Sequence, residues 1–190
     1  WPSIAERVVL AMALCVGAAA VLAAQSRNLL VLYSNNRLLP GIVASDRGLR
    51  DALAGDPALP IRLFSEFLDT PEFGGEAYER TIVAYLNSKY SDHRPQALLA
   101  VSDAAFVFLV RHRRELFPEV PLLYASVAPE VLRELAASAQ DVVGVPVRYD
   151  FAGTIEQALR LHPKAHRLVI ITGTAPRDRG SEARLRREAP

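Results

Sequence analysis

Ser34, Asn35 and Asn36, then Ser102 and Asp103, then Ser126 share a setting: each group halts a short apolar run just ahead of a helix-like stretch. Tyr149 and Asp150 follow a later apolar run, and Gly173 and Thr174 follow the last one. In a parallel α/β sheet such residues fall outside the carboxyl ends of the strands, where ligands bind. They are small hydrogen-bonding groups beside helix starts, whose first N–H groups lack partners within the helix. That chemistry suits a small polar or anionic ligand. The competing reading is local: Ser, Asn and Asp are also favoured caps and turn residues. Each residue alone fits a cap better, and the set as a whole fits a binding rim.

Motifs of catalysis are missing. There is no G-x-G-x-x-G dinucleotide loop, no G-x-x-x-x-G-K-[ST] phosphate loop and no G-x-S-x-G nucleophile elbow. His162 and His166 have the spacing of a metal pair, but Pro163 lies between them, and all the histidines, His93 and His112 included, read as solvated surface groups. Glu66 and Asp69 read as solvent-exposed strand-end carboxylates and not as an acid/base pair. The basic stretch "RHRRELF" and the Arg-rich run from Arg177 to Arg187 are interleaved with Glu115, Glu182 and Glu188, as on solvated helix faces. No catalytic residue, cofactor or metal is called for.

The elements that must position the rim alternate. Apolar β-prone runs occupy 29–33, 61–69, 97–101, 122–125 and 142–147, and "RLVIIT" at 167–172 is expected to be a sixth strand. Between them lie helical patterns. One carries Ile42, Val43, Leu49 and Leu53; the next carries Tyr78, Ile82, Tyr85 and Leu86. Pro129 suits the first turn of the helix bearing Val131, Leu132 and Leu135. Asp150 or Thr154 can cap the helix with Ile155, Leu159 and Leu161, which ends at His162-Pro163. Parallel neighbours need a crossover, usually a helix, so the pattern predicts an open, doubly wound α/β sheet covered on both faces.

Composition agrees with a globular chain: 190 residues, 51% hydrophobic and 23% charged, with a formal net charge of +1. A nucleic-acid surface would need a strong basic excess, so none is expected. Cys15 is the only cysteine, which rules out an internal disulfide. It lies in the uncharged stretch "VVLAMALCVGAAAVLAA", residues 8–24, at the lower length limit for a membrane span. Arg7 supplies a cytoplasmic flank, and Val21, Ala23 and Ala24 suit a signal-peptidase site. Residues 1–26 are therefore expected to be a signal-anchor or signal peptide, with everything beyond exported. The start at Trp1, without a methionine, suggests a piece of a longer protein.

The segments "LLVLYSNNRLLPG", "RLFSEFLDTPEFGGEAYERTIVAYLNSKY", "RPQALLAVSDAAFVFLVRHRRELFPEVPLLYASV" and "YDFAGTIEQALRLHPKAHRLVIITGTAPRDR" together resemble ABC-transporter-type substrate-binding domains. More narrowly, they are similar to the version at the amino end of bacterial membrane sensor histidine kinases. The resemblance implies a periplasmic binding protein type I fold. Residues 28–147 would form the first lobe, and 148–190 the crossover and the start of a second. It places ligand contacts at Ser34–Asn35, Ser102–Asp103, Ser126 and Gly173–Thr174. The expected function is an extracytoplasmic small-ligand sensor of a two-component system, anchored in the inner membrane through residues 8–24, with the domain in the periplasm. A parent kinase would imply a homodimer. The alternative is a periplasmic substrate-binding protein of an ABC transporter. A hydrolase or transferase would need a nucleophile that these residues do not supply.

Overall fold

The computed structural model describes residues 27–55, 60–135, 138, 141–174 and 176–188. The apolar stretch 8–24 lies outside them. Among the described residues no helix is long and apolar enough to cross a membrane. The chain divides into two compact units, one up to Val147 and one from Arg148.

In the first unit, β1 (Arg27–Tyr33), β2 (Ile61–Phe67), β3 (Ala97–Val101), β4 (Leu122–Val127) and β5 (Val142–Pro146) form one sheet in the order β2-β1-β3-β4-β5. Every pairing is parallel. The connections are helical: α1 (Pro40–Ala54), α2 (Glu76–Lys89), α3 (Asp103–Leu116) and the short α4 (Pro129–Glu134). Pro129 opens α4, where a missing N–H costs nothing.

Alternation along each strand sorts the side chains into two clusters. Leu30, Leu32, Leu98, Ala100 and Leu122 face Val83 and Leu86 of α2 and Phe106 and Leu109 of α3. Leu29, Val31, Tyr33 and Val101 face α1 through Ile42, with Leu49 and Leu53 half-buried beside them. The sheet thus has helices on both sides, as the alternation of strands and helices requires. Coverage is unequal, however. Register aligns Leu30, Leu98, Leu122 and Val142 in a row whose first three members are 1%, 0% and 1% exposed. The parallel row on the other face, Val31, Leu99, Leu123 and Val143, runs from 0% at Val31 to 36% at Leu123 and 71% at Val143. The expectation of two covered faces holds for β1 and β3 and fails at β4 and β5, because the α1 cluster takes in residues of β1, β2 and β3 only.

Gly144 allows β5 to close on β4. A Cβ there would lie 2.0 Å from the Tyr124 carbonyl oxygen, so any larger residue would push the strand away.

The second unit holds α5 (Phe151–Leu161) and α6 (Pro176–Glu188). Asp150 caps α5, its carboxylate accepting from the Gly153 N–H at 2.8 Å. The expected sixth strand is not formed. Residues 167–172 belong to no ladder, and Val169 and Ile171 are 69% and 92% exposed. The β-prone sequence is there, but a strand exists only through hydrogen bonds to a neighbour, and no described residue offers one.

Candidate functional site

The order β2-β1-β3-β4-β5 reverses direction between β1 and β3, so their carboxyl ends flank the crevice where such sheets bind ligands. Backbone bonds continue the ladder past the strands and align all the ends there. The Thr70 N–H donates to the Ser34 carbonyl at 2.9 Å, the Ser34 N–H to Val101 at 3.2 Å, and the Ser102 N–H to Ala125 at 2.9 Å. Ser34, Asn35, Ser102, Asp103 and Ser126 therefore do share one rim. They have different roles within it.

Ser34 is fully engaged. It is 3% exposed, its hydroxyl donates to the Val101 carbonyl at 3.1 Å, and it accepts from the Ala105 N–H at 2.9 Å. That hydroxyl ties β1 to β3 and to the first turn of α3, so Ser34 braces the rim. Asp103 is engaged too, and not as the cap of its own helix. Its Oδ1 accepts from the Ala128 N–H at 2.7 Å, satisfying the start of α4. Asn36 folds back locally, accepting from the Leu38 N–H at 2.9 Å. Thr70, which sequence reading passed over, joins Ser34 through its hydroxyl at 2.9 Å.

Asn35, Ser102 and Ser126 remain. Their side chains make no hydrogen bond to any described residue, and none is buried. Ser102 precedes α3 with φ 75° and ψ 169°, a region occupied almost only by glycine. Ser126 has φ 58°, and Asp69, at the end of β2, has φ 46°. The ends of β2, β3 and β4 thus carry non-glycine residues with positive φ, a backbone cost of order 1 kcal/mol or more each. Beside them, the Asp103 and Ala104 N–H groups at the head of α3 have no partner among the described residues. The rim therefore presents neutral donors and acceptors beside two carboxylates, Asp103 and Asp69, and the Oδ1 of Asp69 is buried without a partner among the described residues. Neither serine hydrogen-bonds a base, so neither is set up as a nucleophile.

Tyr149, Asp150, Gly173 and Thr174 belong to the second unit. Tyr149 stacks on Phe151 with centroids 5.8 Å apart and holds the Arg184 guanidinium 4.3 Å from its own ring centre. Asp150 caps α5, as expected from its type. Gly173 sits against Asp178, whose Oδ2 is 2.2 Å from where a Cβ would be. The Thr174 carbonyl accepts from Arg179 at 3.0 Å.

Other polar clusters brace β2. On the α1 face, Asp46 accepts from Tyr33 at 3.0 Å, Ser65 at 3.2 Å and Arg50 at 2.7 Å. The Arg50 hydrogen bond is the main reason the Asp46 carboxyl titrates below its usual range. Burial, aided by Asp46, pushes the Tyr33 phenol well up. On the opposite face, Glu66 accepts from Lys89 and Tyr90, both at 2.6 Å. Its side chain is 13% exposed, so it is a half-buried clamp and not the solvated strand-end group expected. His112 also departs from expectation: 17% exposed, it meets Glu79 at 2.9 Å and packs on Phe108. The other histidines belong to no metal cluster; no group of three potential ligands occurs among the described residues.

These features define an α/β protein with an all-parallel five-stranded sheet and a polar rim at its switch point. No family model matches the chain, and no curated protein is similar to it. Among solved structures it is similar to a conserved domain protein from Vibrio cholerae O1 biovar El Tor, with a TM-score of 0.61 and 12% identity. The match covers 87% of this chain and 54% of that one, so this chain spans about half its neighbour's length. At that identity the likeness concerns the fold.

Proposed function

We propose that this chain is an extracytoplasmic small-ligand-binding domain on the periplasmic binding protein type I plan. The parent on this reading is a membrane-anchored sensor histidine kinase of a two-component system. Residues 8–24 form the anchor, the first lobe ends near Val147, and a second lobe begins beyond it. One observation supports the binding role above the rest: Asn35, Ser102 and Ser126 gather unpartnered polar side chains at the β1/β3 switch point and its neighbouring strand end. Hydrogen-bonding groups that the fold leaves unused, two of them carried on strained backbone, are what a preorganised polar site needs. The ligand is a small polar molecule recognised by the neutral groups of this rim and its neighbouring carboxylates.

The test is a thermal-shift screen of small polar metabolites against the parent protein, followed by titration of each hit. Asn35→Ala and Ser126→Ala delete no internal hydrogen bond, so they are expected to melt like the parent. Each is expected to weaken binding by roughly 1 kcal/mol, about fivefold. Variants that bind every hit as the parent does would overturn the rim assignment. A reporter fused after Pro190 that is active only in the cytoplasm would overturn export.

A further inference from the structure

Beside the rim, a cavity of about 500 Å³ opens between α1 and the side of β2 that faces it. Arg37, Arg47 and Arg50 line it against only two carboxylates, Asp46 and Asp51. The carboxylates are not equally available. Asp46 already accepts from Tyr33, Ser65 and Arg50 and has little left for another cation. Arg50 is held in place by the same contacts, with one Nη donating to Asp46 and Ser65, each at 3.3 Å. Asp51 meets Arg47 only at 3.8 Å, with both side chains more than 70% exposed, a pairing of little strength in water. Arg37 has no partner among the described residues.

The cavity also has an apolar component. Ile42 and Val43 line it, and Val43 is 50% exposed although it sits on the first turn of α1. A further cavity, about 350 Å³ at the opposite end of the sheet, sets Arg113 and Arg114 against Glu119 and Asp141 and has no such surplus. Guanidinium groups beyond what the carboxylates neutralise, beside an exposed apolar patch, suit a ligand with the complementary halves. We propose that this cavity is a second binding site, separate from the rim, for a small organic anion. Its carboxylate or phosphate lies between Arg37 and Arg47, and its apolar part lies on Val43.

The experiment is an NMR titration of the parent protein with benzoate and phenyl phosphate, followed at the Val43 methyls and the Arg37 and Arg47 Nε–H signals. Uncharged benzamide is the control. Saturable shifts at all three residues with the anions, and none with benzamide, are expected. Arg37→Gln and Arg47→Gln touch no buried contact and are each expected to weaken binding about fivefold, the loss of one charge-assisted hydrogen bond. Shifts that rise without saturation, or that benzamide reproduces, would overturn the proposal. Asn35→Ala is expected to leave the anion titration unchanged, so failure of the rim assignment and failure of this site read out separately.

Discussion

At its β2 edge the sheet is clamped on both faces; at its β5 edge one face is bare. Asp46, Arg50 and Ser65 close β2 on the α1 side, and Glu66, Lys89 and Tyr90 close it on the other. Across the sheet, Val143 and Val145 of β5 are 71% and 70% exposed. An edge strand offers unpaired backbone groups to any passing strand, and charged or polar side chains are the usual protection. The β2 edge has that protection, and β5 has only its shortness and its closing Pro146. The rim lies between the two, with its fully engaged members, Ser34 and Thr70, toward the clamped half. Local stability is therefore expected to be highest in β1 and β3 and lower at the β5 edge than at the β2 edge, and amide exchange should report it strand by strand.

The largest effect that would test this gradient is a cavity in the fully covered row. Leu98 is 0% exposed, and Leu98→Ala is expected to cost about 2 to 5 kcal/mol in denaturant unfolding. Leu123→Ala, at 36% exposure on the opposite face, is expected to cost about 1 kcal/mol. Equal costs would mean that the bare face is not bare in solution. Next in size is the β2 clamp. Glu66→Ala leaves the Tyr90 hydroxyl, on a residue 3% exposed, without its acceptor and is expected to cost about 2 kcal/mol. Tyr90→Phe in the Glu66→Ala background should recover part of that loss, because it removes the orphaned donor.

Much of the clamped half was legible in the sequence. Apolar, β-prone runs located β1 to β3, and the helical stripe anticipated Ile42, Leu49 and Leu53 against the sheet, while its fourth member, Val43, is 50% exposed. Ser65 shares a side of β2 with Ile61, Leu63 and Phe67, and that position is where the Asp46 network forms. The partner was harder to see, since Asp46 lies 19 residues away in sequence and only the fold brings them together. The same holds at the rim. Composition picked Ser34 and Asp103, but their work is set by Ala105, 71 residues from Ser34, and Ala128, 25 from Asp103. Local pattern finds polar stops; it does not say which are already satisfied. The sixth strand failed for a related reason, since β-propensity describes a residue's fit to a sheet and 167–172 has no described neighbour.

The pH dependence sharpens the contrast further. The Asp46 carboxyl is held below its ordinary value of 3.8 in the fold, first by the Arg50 hydrogen bond. Its contribution is complete above the unfolded value and is lost as pH falls through the lower folded one. The Tyr33 and Tyr90 phenols are raised above 10.0, chiefly by burial, so their contribution is complete below that value and is lost as pH rises beyond it. All three groups serve the β2 half. Unfolding free energy measured against pH is expected to fall at both extremes. Asp46→Asn should flatten the acid limb, and Tyr90→Phe the alkaline one. A variant curve parallel to the parent's over its own limb would show that the group does not act there.

The smallest expected effect is the most direct probe of the bare face. Val31 and Val143 occupy the same cross-sheet row, in the same alternation, with the same side chain, yet they are 0% and 71% exposed. Threonine keeps the branched shape and the strand preference and adds one hydroxyl, so the substitution reads desolvation almost alone. At Val31 the hydroxyl would be sealed between the sheet and α1, at a cost of about 1 to 3 kcal/mol. At Val143 it stays in water, and Val143→Thr is expected to change stability by less than about 0.5 kcal/mol. Val145→Thr should behave likewise. A loss at Val143 approaching that at Val31 would mean that something covers β4 and β5 in solution. Repeating the measurement at several protein concentrations would then decide whether that cover is a second copy of the chain.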